Sequence, residues 1–453
     1  MTNPLSKYRT GMFLWLGLFA SAAQLKADGP LAILGAKIIP IVGDPIAIGT
    51  ILIRDGKIEA IGKDLVVPGE AKVIDATGKV VMPGFVDAHN AAAMTSANER
   101  NEVVPFLSVV DSIDPVAPYF EECRRNGITA AAVVPGNSTL IGGQAAVVKT
   151  AGQYVNDMLL KREAGLKISL RPASGNRMSQ LAKLRKELDK AKKAIEKELQ
   201  GEKPDTSAET KKEGEETAKP ADKPEGGPEE SKEEAAAERQ PEGGTDVASQ
   251  AAGLEALKKA IRGEQPVYIY CETGMDVAAA IQLIADYSLK PIFVLGPSCY
   301  KAVDLLVKRN ETVILDPSLV FWENNPRTRE DKKIVVPQIF RAAKVPFVFQ
   351  TEGFGARTSL GSSFFWFQAA TAVKYGMPEK EALEAITLLP AKRIGIDNLV
   401  GSLEVGKDAD LVILTGEPLN ISTWVEQTII DGKIVYERSK DEKIKRLLAP
   451  IAE

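Results

Sequence analysis

Eight short apolar runs, separated by stretches of helical period, constrain this chain more than any other feature. They cover residues 84–89, 128–134, 145–149, 166–170, 266–270, 291–295, 312–315 and 346–349. Most are apolar at successive positions rather than alternate ones, as strands buried on both faces must be. Eight such strands with helices between them predict an α/β chain built on a (β/α)8 TIM-like barrel. With 453 residues, 44% of them apolar, the chain can bury so large a core.

The flanks follow a different rule. Residues 32–39, 49–54, 57–61, 72–75 and 79–81 form short β-runs, and Asp55-Gly56 supplies a hairpin turn between two of them. Short runs return at 401–403, 410–414, 425–430 and 433–436, with a second Asp-Gly turn at Asp431-Gly432. The order predicts a small β-sandwich shared by the two chain ends, 28–82 and 396–440, beside a barrel over 83–395. A tail, 441–453, follows. Three helices stand out. Ser179 is placed to cap the first, whose Leu181, Leu184, Leu188, Ala191, Ile195 and Leu199 share one face. The others span 254–261 and 379–388.

Charge marks an insert within the barrel. Residues 201–250 carry fifteen Asp/Glu against seven Lys/Arg, a net of −8 within a chain total of −4. From Gly201 to Thr245 there is no aromatic residue, Leu or Ile, so little apolar surface offsets the entropy of ordering. A disordered acidic insert is expected at about 201–250, as a solvated spacer or an interaction loop. The small overall charge does not point to a nucleic-acid partner, and none is expected.

At the start, Lys7 and Arg9 precede an apolar run over 11–23 that ends in Ala20-Ser21-Ala22-Ala23. That order is the pattern of a secretory signal peptide, placed at 1–27; retention as an anchor is the alternative. The run is short for a membrane span, which takes about 20 residues. An exported, periplasmic or extracellular protein with no stable span in the mature chain is expected. Three cysteines, Cys123, Cys271 and Cys299, are too few for a disulfide framework, and buried free thiols are expected.

The stretch Gly78-Lys-Val-Val-Met-Pro-Gly-Phe-Val-Asp-Ala-His89 resembles the barrel entry of the amidohydrolase superfamily. Gly401-Ser-Leu-Glu-Val-Gly-Lys-Asp-Ala-Asp-Leu-Val412 and Ile430-Asp-Gly-Lys-Ile-Val-Tyr436 are similar to its exit. Leu140-Ile-Gly-Gly-Gln144 and 381–390 resemble its imidazolonepropionase-like branch. The resemblance implies a barrel flanked by a split β-sandwich, and hydrolysis of non-peptide carbon–nitrogen bonds. It also implies one or two divalent metals at the C-terminal barrel mouth. Their ligands would be a His-x-His pair after strand 1, a Lys or Glu after strand 4, histidines after strands 5 and 6, and an Asp after strand 8. Such a metal lowers the pKa of bound water, and the Asp takes its proton.

Against that pattern the chain departs almost everywhere. It holds a single histidine, His89, at the first ligand position, and the second reads Ala91. Strand 4 ends Leu170-Arg171-Pro172. The strand 5 site reads Tyr270-Cys271-Glu272, the strand 6 site Leu295, and the strand 8 site Thr351-Glu352-Gly353. Ala91 and Leu295 have no donor atom, so the catalytic role is not carried over. Glu352 and His89 remain as catalytic candidates, with Gln144, Tyr270, Glu272 and Asp316 as pocket candidates. Arg171 and Arg357 lie near the same face. A substitute zinc site from His89, Cys271, Cys299 and Glu352 is chemically competent, yet no C-x-x-C spacing supports it.

Two functions follow. In the first, an exported protein on this scaffold has lost its metal, needs no cofactor, and binds a small molecule or protein. In the second, an active hydrolase of cyclic amides uses an atypical, zinc-dependent site. His89 is either a pocket remnant or a structural residue.

Overall fold

The structure is a computed structural model and describes residues 29–171, 176–201, 247–351 and 364–449. The expected signal segment, almost all of the acidic insert, Glu352 and Arg357 lie outside these residues.

The first five strands are β1 (Leu31–Ile38), β2 (Ile46–Arg54), β3 (Lys57–Gly62), β4 (Lys72–Asp75) and β5 (Val80–Pro83). The last three are β16 (Leu411–Leu414), β17 (Val425–Ile430) and β18 (Lys433–Glu437). Both chain ends join in one eight-stranded sheet, ordered β18-β17-β16-β5-β1-β2-β3, with β4 also against β1. Pairing of β16 with β5 ties the two ends together. Asp55 and Gly56 both have positive φ, +50° and +77°, and Asp431 and Gly432 repeat this at +49° and +71°. These are the tight hairpin turns that the Asp-Gly pairs announce. Residues 401–403 are a correction: they bend rather than form a strand. Gly401 has φ +93°, and a side chain there would meet the Ala391 Cβ at 2.8 Å.

All eight apolar runs are strands of a second sheet. They are β6 (Phe85–Asn90), β7 (Ile128–Val133), β8 (Ile141–Lys149), β9 (Leu159–Ser169), β10 (Val267–Cys271), β11 (Pro291–Leu295), β12 (Val313–Ile314) and β15 (Phe347–Val348). Sheet order follows chain order and gives a nearly closed barrel. Between β12 and β15 a small hairpin, β13 (Val320–Asn324) with β14 (Asp331–Val335), stands apart.

One strand departs from a regular (β/α)8 pattern. β8 runs antiparallel to both β7 and β9. The connection from β7 to β8 covers only residues 134–140, too short for the helical crossover that parallel neighbours need. The reversal carries Lys149, at the end of β8, to the opposite end of the barrel from the mouth, where the flanking sheet docks. There its Nζ lies 2.7 Å from Asp408 and 3.2 Å from Asp410, and it also bonds Asp431.

Packing divides by strand face. Val86, Ala88, Ala130, Ala132, Ala145, Val147, Tyr268, Ile292, Val294, Ile314 and Val348 fill the barrel interior. Their neighbours along each strand, such as Phe85, Ile128, Ile269, Cys271 and Phe293, pack outward in the main core. The first expected helix spans Arg177–Leu199 and buries Leu184, Leu188 and Ala191. Its cap is Asn176, whose Oδ1 accepts from the Ser179 backbone N–H at 3.0 Å, so Ser179 is not the cap. The helix read at 379–388 is two, Glu379–Glu384 and Leu388–Ile394. Pro390 lacks an N–H and is tolerated only within a first turn, so the chain breaks before it. Among the described residues no helix is long and apolar enough to cross a membrane.

Candidate functional site at the barrel mouth

β6 carries one more residue than β7 between Asp87 and Asn90. Such a bulge re-aims side chains. Asp87 turns towards Tyr119 and Cys123 of the outer layer, whereas His89 reaches into the mouth.

Asp87, Asn90 and Thr351 close the seam between β6 and β15. The Asn90 amide donates to Thr351 O at 2.5 Å and Thr351 Oγ1 at 2.7 Å. The Thr351 hydroxyl and backbone N–H both donate to the Asp87 carboxylate, as does the His89 N–H at 3.2 Å. Complete burial nevertheless pushes the Asp87 carboxyl up to about 7, against these donors.

His89 is held from both sides. Gln350 Nε2 donates to Leu315 O at 3.0 Å, which leaves Gln350 Oε1 facing the ring 2.6 Å from Nδ1. Nδ1 therefore carries the proton, and Nε2 offers a lone pair. That lone pair accepts from Lys167 Nζ at 3.0 Å. Burial first, and the Lys167 charge second, hold the imidazole well below its usual pKa, so His89 is neutral.

Lys167, wholly buried on β9, is the residue that sequence reasoning missed. The tip of this strand reads Leu170-Arg171, and Lys167 lies three residues deeper. A lysine inside the buried half of this strand, 164–169, is the signal that could have found it, because buried lysine is rare without a partner. Its second acceptor is Asn137 Oδ1 at 2.7 Å, and the Tyr270 ring centroid lies 5.5 Å away. Burial brings its pKa down to about 7. Two acceptors match the two N–H donors of a neutral amine. The Gly142 of the Leu140-Ile-Gly-Gly-Gln144 motif makes room for it. A Cβ there would stand 3.0 Å from Pro135 Cβ and 3.3 Å from Lys167 Cβ.

The expected residues divide. His89 and Tyr270 belong to this cluster. Asp316 lies close enough to raise the Tyr270 pKa, though its carboxylate accepts from Ser318 N at 2.8 Å. Glu272 pairs with Arg171 at 3.3 Å and is half-exposed. Gln144 donates to Pro105 O at 3.0 Å and braces a loop outside the cluster. Cys271 and Cys299 are a correction. Strand alternation turns Cys271 away from the interior that Tyr268 and Tyr270 face, and the Cys299 thiol donates to Cys271 O at 3.0 Å. Burial pushes the Cys299 thiol up to about 12 and Cys271 well above its usual value, so neither is a thiolate. All three cysteines are free and buried.

The amidohydrolase family pattern matches residues 80–435. The chain belongs to the amidohydrolase family. An amidohydrolase from Thermotoga maritima MSB8 has the same fold, with 25% identity and a TM-score of 0.70 over 90% of this chain and 100% of that one. Amidohydrolase tasK of Hapsidospora irregularis is 21% identical over 432 residues, 86% of this chain. Dihydroorotase of Mycobacterium tuberculosis is 59% identical over a stretch of 39 residues. The chain spans 40% of the length of tasK and 9% of the dihydroorotase.

Does this amidohydrolase chain offer a divalent metal its donors? The His89 lone pair is spent on Lys167, Ala91 and Leu295 have none, and the thiols face away as neutral groups. Among the described residues no group of three or more His, Cys, Asp or Glu side chains is placed to hold a metal ion. The described donor set does not fit a metal. What it can do is hold a neutral imidazole and an amine of near-neutral pKa beside Tyr270, in a fixed network.

Proposed function

We propose that this chain is an exported member of the amidohydrolase family that works without a metal and binds a small molecule or protein at the barrel mouth. The observation that carries this reading is the donor set: one of four expected histidines is present, His89, and its Nε2 accepts from Lys167 Nζ at 3.0 Å. Export is supported by the charge, apolar core and small-residue order of the first 27 residues. Hydrolysis of cyclic amides, the reading favoured by the family name, depends on a water-activating cation, and of the four histidine ligands expected for it the chain supplies one, His89.

Metal analysis and turnover together test the proposal. Full-length protein purified without chelator should hold zinc, manganese and iron well below one equivalent. It should give no turnover of hydantoin, imidazolone or dipeptide substrates, with or without added metal. One equivalent of a metal that is lost in Glu352→Ala, together with turnover, would overturn it.

A further inference from the structure

A cavity lies away from the mouth, between the barrel, the flanking sheet and the C-terminal helix Glu442–Leu448. It measures about 450 Å³, within the range of ligand cavities, roughly 300–1,000 Å³. Phe85, Leu383, Ile386 and Leu414 line it, and Trp366 and Trp424 add aromatic faces. Ile444 and Leu447 of the C-terminal helix complete the lining. The surface beside it stays apolar: Trp424 is 51% exposed, Phe367 43% and Ile421 80%. Single exposed apolar residues need no explanation, but a contiguous apolar patch around a cavity marks a binding site.

The charges at the rim are unequal in what they leave over. Glu122 pairs with Arg125 and Lys443, both at no more than 2.6 Å. Arg125 also holds Asp441 at 2.6 Å. Arg438 lines the same cavity with its guanidinium 4.5 Å from the Trp424 ring centroid, and no carboxylate pairs with it among the described residues. Stacked on an aromatic face, a guanidinium keeps its N–H donors at the edge available for an anion.

We infer that this cavity binds an amphipathic carboxylate, an alkyl or aryl chain filling the apolar volume and its carboxylate meeting Arg438. The apolar lining sets the body of the ligand, and the uncommitted cation at the rim sets its head group. This site is independent of the barrel mouth, so it stands or falls apart from the function proposed above.

The test is calorimetric titration of the full chain with decanoate and, as the uncharged counterpart, decanamide. Decanoate should bind saturably. Arg438→Met should weaken decanoate about tenfold, the size of one charge-assisted contact, and leave decanamide unchanged. Phe367→Glu, at a half-exposed position, should repel decanoate more than decanamide, while Ile386→Trp should block both by filling the cavity. Absence of saturable decanoate binding, or equal losses for both ligands in Arg438→Met, would overturn the inference. So would sedimentation showing a dimer that Phe367→Glu dissociates and decanoate does not, because the apolar face would then be a self-association surface.

Discussion

Replacing Lys149 by methionine is expected to cost about 3–5 kcal/mol of stability, the scale for leaving buried charges without their partner. Lys149 reaches three carboxylates of the flanking sheet from the end of a barrel strand, and it is itself buried. Asp408 keeps a second partner, Lys57 at 2.8 Å. Asp410 is less well provided: it is buried, and its Oδ2 has no hydrogen-bond partner among the described residues. Burial raises the Asp410 carboxyl to about 6 even with Lys149 opposing the shift. A carboxyl whose folded pKa lies above its unfolded value destabilises when ionised, and the penalty fades as pH falls through the folded value. Without Lys149 the Asp410 carboxyl rises further, so the variant's deficit should grow as pH rises above about 6 and shrink on acidification. Urea unfolding from pH 4.5 to 8 measures this. A deficit below about 1 kcal/mol, smaller than a single buried-partner loss, or one that grows in acid, would contradict the role of Lys149.

The second large effect concerns Lys167. Burial lowers its pKa from an ordinary 10.5 to about 7. Between these values the unfolded chain binds a proton that the folded chain does not, so stability rises with pH across that window. One pKa unit corresponds to about 1.4 kcal/mol, which sets the gain from pH 7 to 10 on the order of 4 kcal/mol. Lys167→Met removes this dependence while leaving His89 Nε2 and Asn137 Oδ1 without a donor. The difference in unfolding free energy between wild type and variant should therefore climb in favour of wild type from pH 7 to 10. A flat difference would mean that Lys167 stays charged in the folded chain.

The barrel was legible because its strands are buried on both faces, which writes unbroken apolar runs into the sequence. The shared sheet was legible through its Asp-Gly turns. The direction of β8 was harder to see, since burial says nothing of strand polarity. Only ten residues separate 128–134 from 145–149, too few for a crossover, and that spacing was the available clue. At the site, His89 was found from its motif, but its partners were not. Lys167 lies on β9, Gln350 just past the end of β15 and Asn137 in a short loop, so only closure of the barrel brings them together. The two cysteines misled because strand ends were counted without strand faces. Cys271 sits at the right end of β10 and points the wrong way.

A chain with one histidine allows the central claim to be read at a single ring. Nitrogen-15 spectra of histidine-labelled full-length protein, recorded at pH 7 with and without one equivalent of Zn²⁺, follow Nδ1 and Nε2 of His89 alone. The account predicts a neutral ring protonated on Nδ1, with an Nε2 signal that zinc leaves in place because Lys167 already occupies its lone pair. A stoichiometric shift of Nε2 on adding zinc, or a ring protonated on Nε2, would contradict it.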